Sequence, residues 1–173
     1  MKSLQSNDFE LFSLEQRFRQ DRAALDARWK DLQREAHPDK FAAQGAASQR
    51  IAMQWSVRIN EAYQRLKDPL KRAAYLCELH GAPVNAENNT AMPAAFLMQQ
   101  MEWREELDDA KDAEDLEQIG LQCKQAKHKV LQTIEQLLDQ AQDYPAGVAQ
   151  VRALMFIERF AADVDARLDQ LEA

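Results

Sequence analysis

The sequence predicts an all-α protein built from two small helical domains. Three observations carry that reading. Glycine and proline are scarce, four and five in 173 residues, so little in the chain opposes helix. Ala, Leu, Gln, Glu and Arg are all abundant, and all five are good helix formers. Apolar side chains recur at three- and four-residue spacing almost throughout, and that rhythm lapses chiefly between Gly81 and Met92. Gly, Pro, Asn and Thr collect there, so residues 81–92 read as a linker between domains at 1–80 and 93–173.

The elements follow in order. Asn7 to Arg19 holds Phe9, Leu11, Phe12, Leu14 and Phe18, enough apolar bulk to cover a helix pair. Asp21 to Ala36 carries Leu25, Trp29, Leu32 and Ala36 as the stripe of an amphipathic helix. Pro38 disfavours helical geometry at His37 and ends that helix. A second pattern runs from Ser48 to Leu66. Asp68 and Pro69 then supply an N-cap and a first helical position, and Gly81 a C′ residue, for a helix over Pro69–His80. Beyond the linker, Thr90 is a candidate cap for a helix from Pro93 to about Ala110. Asp112 to about Gln142 forms the next. Tyr144-Pro145-Ala146-Gly147 reads as a break, and a last helix uses Val148, Val151, Leu154, Ile157, Phe160 and Val164. Short connections make these three helices an antiparallel bundle.

Composition excludes several function classes. No apolar run reaches the length of a membrane span, and the N-terminus has no apolar signal region. Two cysteines, Cys77 and Cys123, make no disulfide framework and fit a reducing cytoplasm. Cys77 and His80 share a helix face, but a structural zinc site needs two further ligands at matching spacing. Residues 1–80 hold 14 Lys and Arg against 11 Asp and Glu, whereas residues 81–173 hold 8 against 18. The acidic second half argues against nucleic acid, and the basic half lacks interleaved aromatics.

His37-Pro38-Asp39-Lys40 is a short polar turn between two helices, placing an imidazole and a carboxylate at an exposed tip. No neighbouring nucleophile, phosphate loop or oxyanion motif completes a catalytic site there, so the chain is expected not to be an enzyme and to need no cofactor. A carboxylate on a rigid turn suits pairing with an arginine of another protein. Arg22, Arg28, Lys30 and Arg34 on the preceding helix would steer an acidic partner; alone they would be an ordinary solvated face. In the second half, Phe96-Leu97-Met98 followed by Met101 and Trp103 is a broader apolar band than one bundle helix buries. It is either a generously packed core or an apolar protein-binding patch rimmed by Glu102, Glu105, Glu106 and Asp109.

His37-Pro38-Asp39 between two helices, followed by Ile59-Asn60-Glu61-Ala62-Tyr63, Leu66, Asp68-Pro69, Lys71-Arg72 and Tyr75, resembles a J domain over residues 7–80. The resemblance implies docking on a DnaK-type chaperone ATPase through His37, Pro38 and Asp39, with Asp39 engaging an arginine. Trp29 and Lys30 match docking-helix positions, with Arg28 and Arg34 beside them. Asp31 and Ala36 depart from the usual basic residue and Tyr. Arg72 to Gly81, Phe96-Leu97-Met98 and Arg104-Glu105-Glu106-Leu107 extend the resemblance to the HscB family, J-type co-chaperones of iron–sulfur cluster assembly. That family implies a bundle that binds the scaffold protein IscU and delivers it to the ATPase HscA. The scaffold-binding positions fall on Leu97, Met98, Met101, Glu102, Glu105, Asp109 and Phe156. Met101 and Asp109 stand where a Leu and a Glu are more familiar. A chain opening on the J domain is expected to be of the bacterial, cytoplasmic type. The alternative is a J protein serving another client.

Overall fold

The computed structural model describes residues 2–85 and 92–173. Among these the chain is helical and contains no strand. It divides into two compact units, Met1–Leu76 and Cys77–Ala173. The expected cap Thr90 and most of the expected linker lie outside the described residues.

The first unit contains α1 (Asp8–Leu11), α2 (Arg22–Ala36), a 3-10 turn over Pro38–Gln44, α3 (Ala46–Lys67) and most of α4 (Pro69–Leu79). Asp21 caps α2 by accepting from the Ala23 N–H at 3.0 Å. His37 is extended at ψ 129°, as the following proline requires. Gly45 takes φ +100° to turn the chain into α3. α2 and α3 pack antiparallel around Leu25, Leu32, Ala52, Ile59, Ala62, Tyr63 and Leu66.

At four residues α1 is too short to stand alone. An Asn7–Glu10 capping box starts it, and buried Asp8 pins it. The Asp8 carboxylate accepts from Arg58 at 2.8 Å and from Arg65 at 2.6 Å. Its N–H donates to the Tyr75 hydroxyl at 3.0 Å. Arg58 also donates to the Ser6 carbonyl, and Arg65 lies 4.1 Å over the Tyr75 ring. Phe9, Leu11, Phe12 and Phe18 fill the core around this cluster.

α4 begins as its caps predict, with Asp68 accepting from the Leu70 N–H at 3.0 Å. It ends in a Schellman motif. Gly81 at φ +77° donates to Glu78, and Ala82 donates to Cys77 at 2.9 Å. The last turn of this helix belongs to the second unit, so the compact body starts at Cys77, ahead of the expected boundary.

The second unit adds α5 (Ala94–Asp109), α6 (Ala113–Glu135) and α7 (Tyr144–Glu172). Trp103, Leu107, Leu116, Ile119, Cys123, Ile157, Phe160 and Val164 form one core cluster. Arg167 secures the end of α5 by donating to the Leu107 and Ala110 carbonyls at 3.2 and 3.4 Å.

Two expectations need correcting here. Tyr144–Gly147 does not interrupt the chain: it is the first turn of α7, with Asp143 capping the Ala146 N–H and Pro145 inside the opening turn. The interruption lies just before, where Gln142 adopts φ +53°. Nor is the preceding helix uniform, since Gln136–Gln140 widens into a π turn. Leu138 of that turn is buried against Gly147, where an added Cβ would meet its Cδ2 at 2.5 Å. Gly147 is therefore a packing glycine and not a breaker.

Candidate protein-docking sites

The tip in the first unit is built by its neighbours. The His37 imidazole accepts from the Asp39 N–H through Nδ1 at 3.2 Å, which closes the turn after Pro38. Nδ1 is thus the acceptor, and the proton of the neutral ring belongs on Nε2. The Asp39 carboxylate lies 3.7 Å from that ring with its side chain 91% exposed. An anion presented this openly on a fixed turn is accessible to a cation outside the chain.

Behind the tip, Trp29 is locked in place. Its ring stacks on Tyr63 at 4.5 Å and its Nε1 donates to Asn60 Oδ1 at 3.0 Å. The same oxygen accepts from Gln33 Nε2 at 2.7 Å, and Gln33 in turn accepts from the Ser56 hydroxyl at 3.0 Å. Asn60 thereby fixes two α2 side chains from α3, a role that the sequence hid within a longer motif. Tyr63 also donates to Asp26 at 2.7 Å, and this bond, with Arg22 second, lowers the Asp26 pKa below the usual aspartate value. Trp29, Lys30, Gln33, Arg34, His37 and Lys40 line a shallow hollow of about 510 Å³ beside the tip.

The four basic residues of α2 do not behave alike. Arg28 faces inward to the Phe12 carbonyl at 3.3 Å and the Ser13 hydroxyl at 3.4 Å. Arg22 pairs with Asp26 at 2.9 Å. Arg34 reaches Asp31, the departure from the family pattern, at 3.7 Å. Lys30 is exposed.

In the second unit, Leu97, Met98 and Met101 are 46%, 66% and 67% exposed. Of the two readings of the apolar band, this exposure favours a surface patch: only Phe96, Trp103 and Leu107 turn inward. Glu102, Glu105 and Asp109 are exposed on the same helix. Phe156 differs from them. It is half-buried within an aromatic cluster, 5.7 Å from Phe96, 6.5 Å from Trp103 and 5.8 Å from Phe160. Arg104 covers it at 5.6 Å while pairing with Asp163 at 3.0 Å. Phe156 is thus part of the floor beneath α5 as well as a candidate contact.

The Cys77 thiol donates to the Tyr144 carbonyl at 3.9 Å, while His80 stacks flat on the Tyr144 ring at 3.9 Å. Burial pushes both Cys77 and Cys123 up to about 11, so both are protonated at neutral pH. No group of three or more metal-binding side chains is present among the described residues. No helix there is long and apolar enough to cross a membrane.

The co-chaperone protein HscB homolog of Burkholderia multivorans is 50% identical over 175 residues, covering 99% of each chain. The chain belongs to the HscB family of co-chaperones. The homolog from Burkholderia mallei is 49% identical over the same share. The family model described as the HSCB C-terminal oligomerisation domain matches residues 92–165. Chaperone HscB from Vibrio cholerae, 36% identical, superposes with a TM-score of 0.81 over 96% of this chain and 99% of its own. Human co-chaperone HscB has the same fold, with a TM-score of 0.88 over 96% of this chain and 84% of its own at 24% identity. The function is that of an HscB co-chaperone in iron–sulfur cluster biogenesis, with a chaperone and a scaffold protein as its partners.

Proposed function

We propose that this HscB chain docks on an HscA-type ATPase through its first unit and carries an IscU-type scaffold on its second. His37, Pro38 and Asp39 form the docking point, supported by Trp29, Lys30 and Arg34, with Arg28 bracing the helix. Leu97, Met98, Met101, Glu102, Glu105, Asp109 and Phe156 form the scaffold face. The observation that carries the reading is the open Asp39 carboxylate on a closed turn. Exposed methionines on α5 support the second half, because their flexible side chains adapt to a partner. ATP hydrolysis then belongs to the chaperone, and co-binding raises the scaffold's effective concentration there. On this reading the protein works in the cytoplasm and performs no catalysis of its own.

ATPase stimulation and scaffold binding, measured on the same variants, test the division. Asp39→Ala should reduce stimulation to the basal rate and leave scaffold affinity unchanged. Leu97→Ala with Met98→Ala should weaken the scaffold about tenfold or more, as for truncation of central interface residues, and spare scaffold-free stimulation. If each variant lost both activities, the two-site reading would be wrong. Stimulation that needs Asp39 with no scaffold binding at all would reassign the client.

A further inference from the structure

One groove of the second unit shares no residue with the α5 patch. α6 and α7 lie side by side there, and Glu117, Gly120, Leu121 and Lys124 of α6 face Asp165 and Leu168 of α7 around a hollow of about 740 Å³. Two of these residues have no use inside the chain. Leu121 is 50% exposed on a helix whose core positions include Leu116, Ile119 and Cys123. Gly120 keeps an ordinary helical backbone, and an added Cβ would meet nothing within 4 Å. Neither φ nor packing calls for glycine at that position, and glycine weakens a helix interior relative to alanine. What it leaves is bare backbone that another surface can approach closely.

Charge indicates which surface that is. Along the groove face of α6 the order is Glu117, Gly120, Leu121, Lys124: an acid, an apolar centre and a base at helical spacing. Turned end for end about the point between Gly120 and Leu121, this face becomes its own complement. Lys124 then falls on Glu117, and Leu121 falls on Gly120, because the members of each pair are equally far from that point. Neither Glu117 nor Lys124 forms an ion pair among the described residues. Lys127 already binds Glu158 at 3.2 Å and is not counted. The helix dipole does not explain the pattern, since its influence is confined to the terminal turns and Lys124 stands mid-helix.

We propose that this groove joins two copies of the chain, with α6 of one antiparallel to α6 of the other about a two-fold axis. Such an interface uses the same patch twice, so it requires the self-complementarity that this face has. Each Leu121 seats on Gly120 of the other copy, and each Lys124 meets its Glu117, with Asp165 on the far wall as a further acid. The pair carries two tips and two α5 patches in one particle. The inference is independent of the docking and scaffold readings.

The test is sedimentation equilibrium of the full chain, wild type and variants, each checked for native helical content. Glu117, Leu121 and Lys124 are all exposed, so charged substitutes meet water in the single copy. Wild type should show a monomer–dimer equilibrium. Lys124→Glu and Glu117→Lys, each alone, set like charges against each other at both ends of the contact and should raise the dimer dissociation constant about tenfold. Leu121→Glu should raise it by at least as much. Mixing Lys124→Glu with Glu117→Lys should restore association, because every lysine then opposes a glutamate of the other copy. The double variant, with the two charges exchanged, should also pair. Wild type that stays monomeric up to about 1 mM overturns the proposal. A dimer that neither single exchange weakens, or that mixing fails to restore, overturns it as well.

Discussion

The two units are held together by different chemistry. In the first, charges and amides are wired through the interior: buried Asp8 joins Arg58 and Arg65, Arg72 donates to the Phe18 carbonyl at 2.6 Å, and Asn60 ties α3 to α2. In the second, stacked rings and aliphatic side chains do the equivalent work, from Phe96 and Trp103 to Phe160 and Val164. The difference matches what each unit presents. A tip proposed to offer one carboxylate in one place needs directional bonds behind it. A helix proposed to offer exposed Leu97, Met98 and Met101 to an irregular partner needs only a firm floor, and its side chains stay adaptable.

The sharpest way to break this comparison is to remove the buried charge. Asp8→Ala leaves two guanidinium groups facing an emptied site, and should destabilise the first unit by about 3–5 kcal/mol. Hydrogen exchange should show the loss of protection in α1 and α3, with α6 and α7 unchanged. Equal loss in both units would mean that they do not differ as described. A smaller effect is expected in the second unit from Gly147→Ala. The new methyl meets Leu138, itself 2% exposed, and the overpacking should cost about 1–3 kcal/mol in urea unfolding. Pairing it with Leu138→Ala should recover part of that loss, because the obstacle is one side chain.

The smallest effect concerns pH. Both thiols are raised from 9.0 to about 11 by burial, so the folded chain holds these protons more tightly than the unfolded one. Their contribution is intact below pH 9 and is lost as pH rises toward 11. Stability against urea should fall across that window, and less steeply in Cys77→Ala with Cys123→Ala. An unchanged slope would show that other groups control the alkaline limb.

Much of the scaffold was legible because caps and punctuation act locally. Asp68, Pro69 and Gly81 do what their positions in the sequence predict, since each needs only neighbours within one turn. The tip was legible for the same reason. What escaped were effects of distant partners. Nothing near Asp8 announces that it is buried under arginines fifty residues away. Tyr144–Gly147 looked like a break because Pro and Gly usually signal one, whereas Leu138 needed the space that Gly147 leaves. The bond from Arg28 to the Phe12 carbonyl spans sixteen residues, so no local pattern announces it. The resemblance implies a contact role for Phe156, whereas its place in the aromatic floor depends on a helix far away in the sequence.

The two sequestered thiols have a consequence for the cargo. An iron–sulfur cluster is readily captured by any accessible thiolate, since cysteine sulfur is its preferred ligand. On the proposed reading, a protein that works beside such a cluster and holds both sulfurs protonated in its interior offers it no thiolate. Its cysteines would then not compete for what the scaffold carries.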